Sequence, residues 1–169
     1  RLLYALPLRS LATSLYESTY EDAKSFSPLS HNACRIQIQT GERRNDPLFQ
    51  GLLTFTTIDQ LLSGYLMHPV GLPARCGNLS AGALLGSLIC FDEFHLLEPQ
   101  KSMATAIEML DTFAVGPKAL SRFVLMTATL STETLQWLAR QLKAELIELS
   151  ADEVRKLPSQ QGKIRHYRW

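Results

Sequence analysis

The sequence predicts an α/β domain with three layers: a mostly parallel sheet and helices on both of its faces. Three observations predict it. Short apolar runs of strand length alternate with longer segments, about five times along the chain. The longer segments carry apolar residues at helical spacing, as helices packed on a sheet do. Polar side chains gather just after the apolar runs, namely Arg9, Thr57, Asp92, Glu93, His95, Thr127 and Thr129. In a parallel sheet all those strand ends lie on one edge, where open α/β folds bind ligands.

The bulk numbers set limits. A chain of 169 residues is long enough for one domain with a sizeable core. With 46% hydrophobic and 20% charged residues, it has the composition of an ordinary globular protein. A net charge of +1 excludes a generally basic nucleic-acid binder, so any such contact must come from a local patch. Cys34, Cys76 and Cys90 are odd in number and widely spaced, which argues against a disulfide framework or a zinc ribbon. Reduced thiols and a cytoplasmic location are expected. No apolar run approaches membrane-spanning length, so no membrane partner is expected.

The elements follow in order. Leu2–Leu6 reads as a buried strand closed by Pro7. Leu8, Leu11, Ala12, Leu15 and Tyr16 predict a helix over 9–24 that packs on the sheet. Arg9 stands in the turn before it, where helix N–H groups and a guanidinium can meet a phosphate. Residues 25–33 are expected to be loop, and 34–39 a half-exposed strand. Gly41–Pro47 is a polar turn, in which Arg43 and Arg44 either touch a phosphate or are simply solvated.

Residues 52–56 form the next strand. Thr57 and Gln60 then have capping-box form, which predicts a helix to Leu66 and explains both residues structurally. Pro69, Gly71, Pro73 and Gly77 mark an irregular connection before a short helix over 79–85. Residues 87–91 are a strand. Pro99 opens a helix with a stripe of Met103, Ala106, Ile107, Leu110, Phe113 and Ala114, and Gly116-Pro117 closes it. Residues 122–126 are a strand, Ser131 caps a helix, and 145–149 are a last expected strand. Beyond Ser150 the sequence turns polar and then basic and aromatic, as a linker does.

The chemistry gathers at Asp92-Glu93-Phe94-His95. A strand that ends in two adjacent carboxylates gains no stability from them, because each must be solvated, paired or bound to a cation. One can hold a hard cation such as magnesium while its neighbour orients or activates a water. A solvated turn is the structural alternative. Cys90, Asp92 and His95 mix soft and hard ligands, which argues against a shared metal site.

Asp92-Glu93-Phe94-His95 and Thr127-Ala128-Thr129 together resemble the DEAD/DEAH-type Walker B motif and the following S/T-A-T motif of superfamily 2 helicases. Tyr4-Ala5-Leu6-Pro7-Leu8-Arg9-Ser10-Leu11 resembles their motif Ia. Thr56-Thr57-Ile58-Asp59-Gln60-Leu61-Leu62 is similar to motif Ic of the CRISPR-associated helicase-nuclease of type I systems, and so is the lead-in Ala83–Ser87. The resemblance runs from Leu2 to about Leu149 and implies a RecA-like fold for 1–150, with 151–169 as linker. It implies that Asp92 coordinates magnesium on ATP, that Glu93 polarises the attacking water, and that His95 couples the nucleotide site to motif III. Thr127 and Thr129 would relay nucleotide state, and Arg9 and Thr57 would contact the backbone of single-stranded DNA. The implied partners are that DNA, the CRISPR surveillance complex, and the rest of a helicase.

Two departures stand out. The family usually has Ala or Val where Phe94 stands, and a bulky apolar residue there is expected to point into the core. The P-loop pattern G-x-x-x-x-G-K-[ST] is absent; Gly162-Lys163 is followed by Ile164, with Leu157 at the required upstream glycine. The resemblance places a P-loop before Arg1 and a second RecA-like domain after Trp169. A degenerate binding or assembly module and an RNA-remodelling ATPase of the same superfamily remain the alternatives.

Overall fold

The computed structural model describes residues 1–26 and 30–148, together with Glu153 and Lys156. The chain divides into two compact units, 1–131 and 132–169. The first holds five parallel strands: β1 (Leu2–Leu6), β2 (Ile36–Gln39), β3 (Leu53–Thr57), β4 (Leu88–Phe91) and β5 (Arg122–Leu125). Their order across the sheet is β2-β3-β1-β4-β5. This is the expected RecA-like three-layer α/β layout. Its helices are α1 (Arg9–Ser25), α2 (Ile58–Tyr65), α3 (Gly77–Leu84) and α4 (Ala104–Ala114).

Burial explains the central strands. Leu3 and Ala5 of β1 and Ile89 and Phe91 of β4 are completely enclosed. Strands buried this way have no polar face to show, which is why they read as apolar runs. On the other face Leu6 and Phe55 pack with Ala12 of α1, and Tyr4, Tyr16, Ile36 and Leu53 close around them. The α1 stripe is looser than its spacing predicted, since Leu11 and Leu15 stay more than a third exposed. Of the expected α4 stripe, Ala106 and Leu110 are fully buried and Met103 is buried, while Ile107, Phe113 and Ala114 are half-buried; Met109 joins the core beside them. Tyr65 of α2 meets Phe113 of α4 edge-on, with ring centroids 5.4 Å apart.

Several boundaries depart from the sequence reading. Residues 30–35 wind into a 3-10 turn, so Cys34 and Arg35 lie outside β2. The short helix starts at Gly77, two residues earlier than expected, where a Cβ would collide with the Met67 carbonyl. Between β2 and β3 there is no helix but a loop over 40–52. Asp46 holds this loop from inside. It is 5% exposed, and its carboxylate accepts from Gln50 N, Gly51 N and Thr54 Oγ1 at 2.7, 2.9 and 2.9 Å. Gly51 is required there, because a Cβ would stand 2.7 Å from Thr54 Oγ1.

The second unit contains α5 (Thr132–Gln141), which starts where Ser131 led us to expect. Among the described residues of this unit, Leu138 of α5 and Leu142 just after it are buried. Residues 145–148 are not a strand, and Leu149 lies outside the described residues. Alternation alone does not make a strand; pairing and a buried face do. Ile147, at 82% exposed, has no buried face. The expected linker over 151–169 lies outside the described residues except at Glu153 and Lys156.

Candidate functional site

All five strands point the same way, so their C-terminal ends share one edge. The predicted site residues stand there, but in two groups. Asp92, Glu93, His95 and Thr127 form one. Arg9 and Thr57 form the other.

The acidic group begins where β4 runs out. Asp92 N–H still donates to Ala5 O of β1 at 2.9 Å, so the aspartate is fixed by the sheet. Its side chain is held at both oxygens: Oδ1 accepts from Glu93 N at 2.9 Å, and Oδ2 accepts from the Tyr4 hydroxyl at 3.0 Å. Tyr4 was not singled out from sequence. It reaches Asp92 because β1 and β4 are neighbours with Tyr4 opposite Cys90, two residues before the acid. Burial first, and the hydrogen bond to Asp92 second, raise the Tyr4 hydroxyl well above its usual pKa of 10.0. Cys90 sits beneath them, and burial pushes its thiol up to about 11, with Asp92 adding to the effect. A thiol so protonated is a poor metal ligand.

Glu93 has φ 50° and ψ 43°, the left-handed region, which costs a non-glycine residue about 1 kcal/mol or more. Backbone strain of this kind collects at functional sites, and here it turns the glutamate out of the strand direction. The next residue turns inward: Phe94 is fully buried and meets Phe91 edge-on at 5.8 Å. Phe94 therefore points into the core, as its size predicts.

The turn is tied to the segment after β5. Phe94 N–H donates to Met126 O at 3.0 Å, and Thr127 Oγ1 lies 3.3 Å from His95 Nδ1. Glu93 Oε2 lies 3.4 Å from the same nitrogen. A single Nδ1 thus serves two partners. As an N–H it donates to Glu93 or Thr127; as a bare nitrogen it can only accept from the Thr127 hydroxyl. Thr129 is exposed and takes no part in that contact.

The second group lines a cavity of about 450 Å³ formed by Pro7, Leu8, Arg9, Gly41, Thr57, Asp59 and Gln60. Here the structure corrects the sequence reading. Thr57 occupies the N-cap position of α2, with φ −87° and ψ 150°, but its side chain makes no cap hydrogen bond. Gln60 does not reach back to it; Gln60 Oε1 accepts from Gln39 Nε2 of β2 at 3.4 Å. The capping box fails because a neighbouring strand captures its glutamine. The buried Thr57 is left with no structural task that explains its hydroxyl. Arg9 pairs with Glu42 at 2.7 Å, Arg43 pairs with Glu17 at 2.8 Å, and Arg44 Nε donates to Gly41 O at 3.2 Å.

Among the described residues no three His, Cys, Asp or Glu side chains converge as a metal cage. Asp92 offers hard oxygen, fixed by the sheet, at a strand end. That suits a magnesium ion that brings phosphate oxygens with it, because magnesium is commonly held by one or two carboxylates plus substrate phosphates. No helix among the described residues is long and apolar enough to cross a membrane. No protein-family model matches the chain, and no curated protein is significantly similar to it.

Proposed function

We propose that this chain is part of an ATP-dependent helicase or translocase of superfamily 2 acting on single-stranded DNA. It contributes the Asp92–Glu93 half of the nucleotide site. One observation supports this above the rest: two short motifs, 32 residues apart between His95 and Thr127, touch through side chains at 3.3 Å. A solvated turn needs no such contact. A site that must report nucleotide state to the rest of the molecule does.

In this reading Asp92, locked by Tyr4 and by Glu93 N–H, holds the cation. Glu93 orients the attacking water, and its left-handed backbone aims it there. His95 sits between Glu93 and Thr127 and passes on what happens at Glu93. Magnesium–ATP, when bound, supplies the transferable phosphoryl group and neutralises its charge. A P-loop and a second RecA-like domain come from other parts of the protein. β5 is an edge strand among the described residues, and an edge strand can accept a further parallel strand. The Arg9–Thr57 cavity takes the nucleic-acid backbone. The motif Ic and lead-in likenesses support a role in CRISPR type I interference, with a cytoplasmic location and the surveillance complex as partner as parts of the same proposal.

The test is Glu93→Gln in a protein that carries the P-loop. ATP binding is expected to survive, and turnover to fall at least about 10²-fold. The 169-residue chain alone is expected to turn over no ATP. Wild-type turnover by the variant, or helicase-like turnover by the chain alone, overturns the assignment.

A further inference from the structure

The turn Thr40–Arg44 is built to hold one carboxylate against Arg9. Its tip is bonded to itself: Thr40 N–H donates to Arg43 O at 2.8 Å, and Arg43 N–H donates to Thr40 Oγ1 at 3.1 Å. Its base is anchored by the buried Asp46. Two ion pairs of opposite sense tie it to α1, since α1 offers the cation Arg9 and the anion Glu17 to Glu42 and Arg43. Arg9 and Gly41 both line the cavity, so the Arg9–Glu42 pair forms at its rim.

The two ion pairs are not equivalent. Glu17–Arg43 is away from the cavity lining and gives the turn a second tie to the helix. Arg9–Glu42 joins the only arginine of the lining to a carboxylate whose other oxygen has no task in the turn. Both side chains are open, 60% and 75% exposed. An exposed pair of this kind is weak, so it adds little to stability and is easily replaced. A phosphate offers the same guanidinium an equally charge-assisted partner, and one that brings further contacts to the cavity with it.

We propose that Glu42 is a resident competitor for the phosphate position at Arg9, and that nucleic acid must displace it in order to bind. This rests on the reading that Arg9 and Thr57 meet the nucleic-acid backbone. The bound phosphodiester takes the guanidinium, Glu42 swings into solvent, and the Glu17–Arg43 clasp keeps the turn in place. Weak or misplaced anions fail to make the exchange, so the contact filters what enters the cavity.

The experiment is binding of a fluorescent oligo(dT) to the 169-residue chain at low salt, followed by anisotropy. Wild type, Glu42→Gln, Arg9→Ala and the double variant form a cycle. Glu42→Gln is expected to tighten binding by about two- to fivefold, the size of an exposed ion pair. Arg9→Ala is expected to weaken it, and Glu42→Gln to have no effect once Arg9 is gone. If Arg9→Ala weakens binding but Glu42→Gln does not tighten it, the competitor role is wrong and the nucleic-acid reading stands. If Glu42→Gln tightens binding equally without Arg9, the effect is general charge repulsion and the proposal fails. If Arg9→Ala changes nothing, or no chain binds, the nucleic-acid reading itself fails. Thermal melts of the variants are expected to match wild type, because the pair is on the surface.

Discussion

Replacing Tyr4 with Phe leaves the ring that packs on Phe55 at 5.6 Å and deletes only the hydroxyl that donates to Asp92. The fold raises the pKa of that hydroxyl above its usual 10.0, through burial first and the Asp92 bond second. The sign follows from linkage. A group whose folded pKa is raised contributes stability fully below its unfolded pKa, and loses it as pH rises toward the folded value. Between about pH 9 and 11 the unfolded tyrosine releases its proton and the folded one keeps it. One unit above the unfolded pKa, the ceiling on this loss is about 1.4 kcal/mol. The hydroxyl is only half-buried, so about 1 kcal/mol is the better figure. Urea midpoints at the two pH values, for wild type and Tyr4→Phe, measure it. Wild type is expected to lose about 1 kcal/mol more than the variant over that range. At the lower pH the variant should be the weaker protein by about 1 kcal/mol, one hydrogen bond. Equal pH losses in both proteins would refute the raised Tyr4 pKa and, with it, the bond from Tyr4 to Asp92.

Two further outcomes follow. Asp46→Ala leaves two buried donors and a partly buried third without their acceptor and should cost about 3 kcal/mol, with Asp46→Asn costing less; a stability within about 0.5 kcal/mol of wild type in urea would sink the anchoring role of Asp46. Glu93→Gly should be more stable than Glu93→Ala by about 1 kcal/mol, because only glycine sits in the left-handed region without strain. Equal melting of those two variants would mean that Glu93 is not strained.

The fold was legible where a single stretch decides its own state. β1 needs only Leu2–Leu6 and a proline, and α4 needs only its stripe. What the sequence withheld depends on which strands are neighbours. Tyr4 sits in an apolar run like any core tyrosine, and nothing local connects it to Asp92, 88 residues on. The connection exists because β1 lies between β3 and β4, an order that strand patterns do not encode. Thr57 and Gln60 show the same limit from the other side. Their spacing fits a capping box, and the box would form in an isolated helix. Gln39 on the adjacent strand takes the glutamine instead, and tertiary context overrides the local rule. Asp46 looked like one more polar turn residue, because a buried acid and an exposed one are spelled alike; only the loop closing over it separates them.

The candidate site combines both kinds of information. Asp92 and Glu93 were visible because two acids after a strand are costly wherever that strand ends. Their reach to Thr127 was only an expectation of shared edge, and the edge alone would allow many spacings. What narrows it is Phe94. By filling the core beneath the turn and donating its N–H to Met126 O, Phe94 fixes how far the acidic turn stands from the segment after β5. Phe94 thus ties the turn that carries His95 to the segment that carries Thr127. A smaller residue at 94 would leave a cavity beneath the turn and loosen the His95–Thr127 contact.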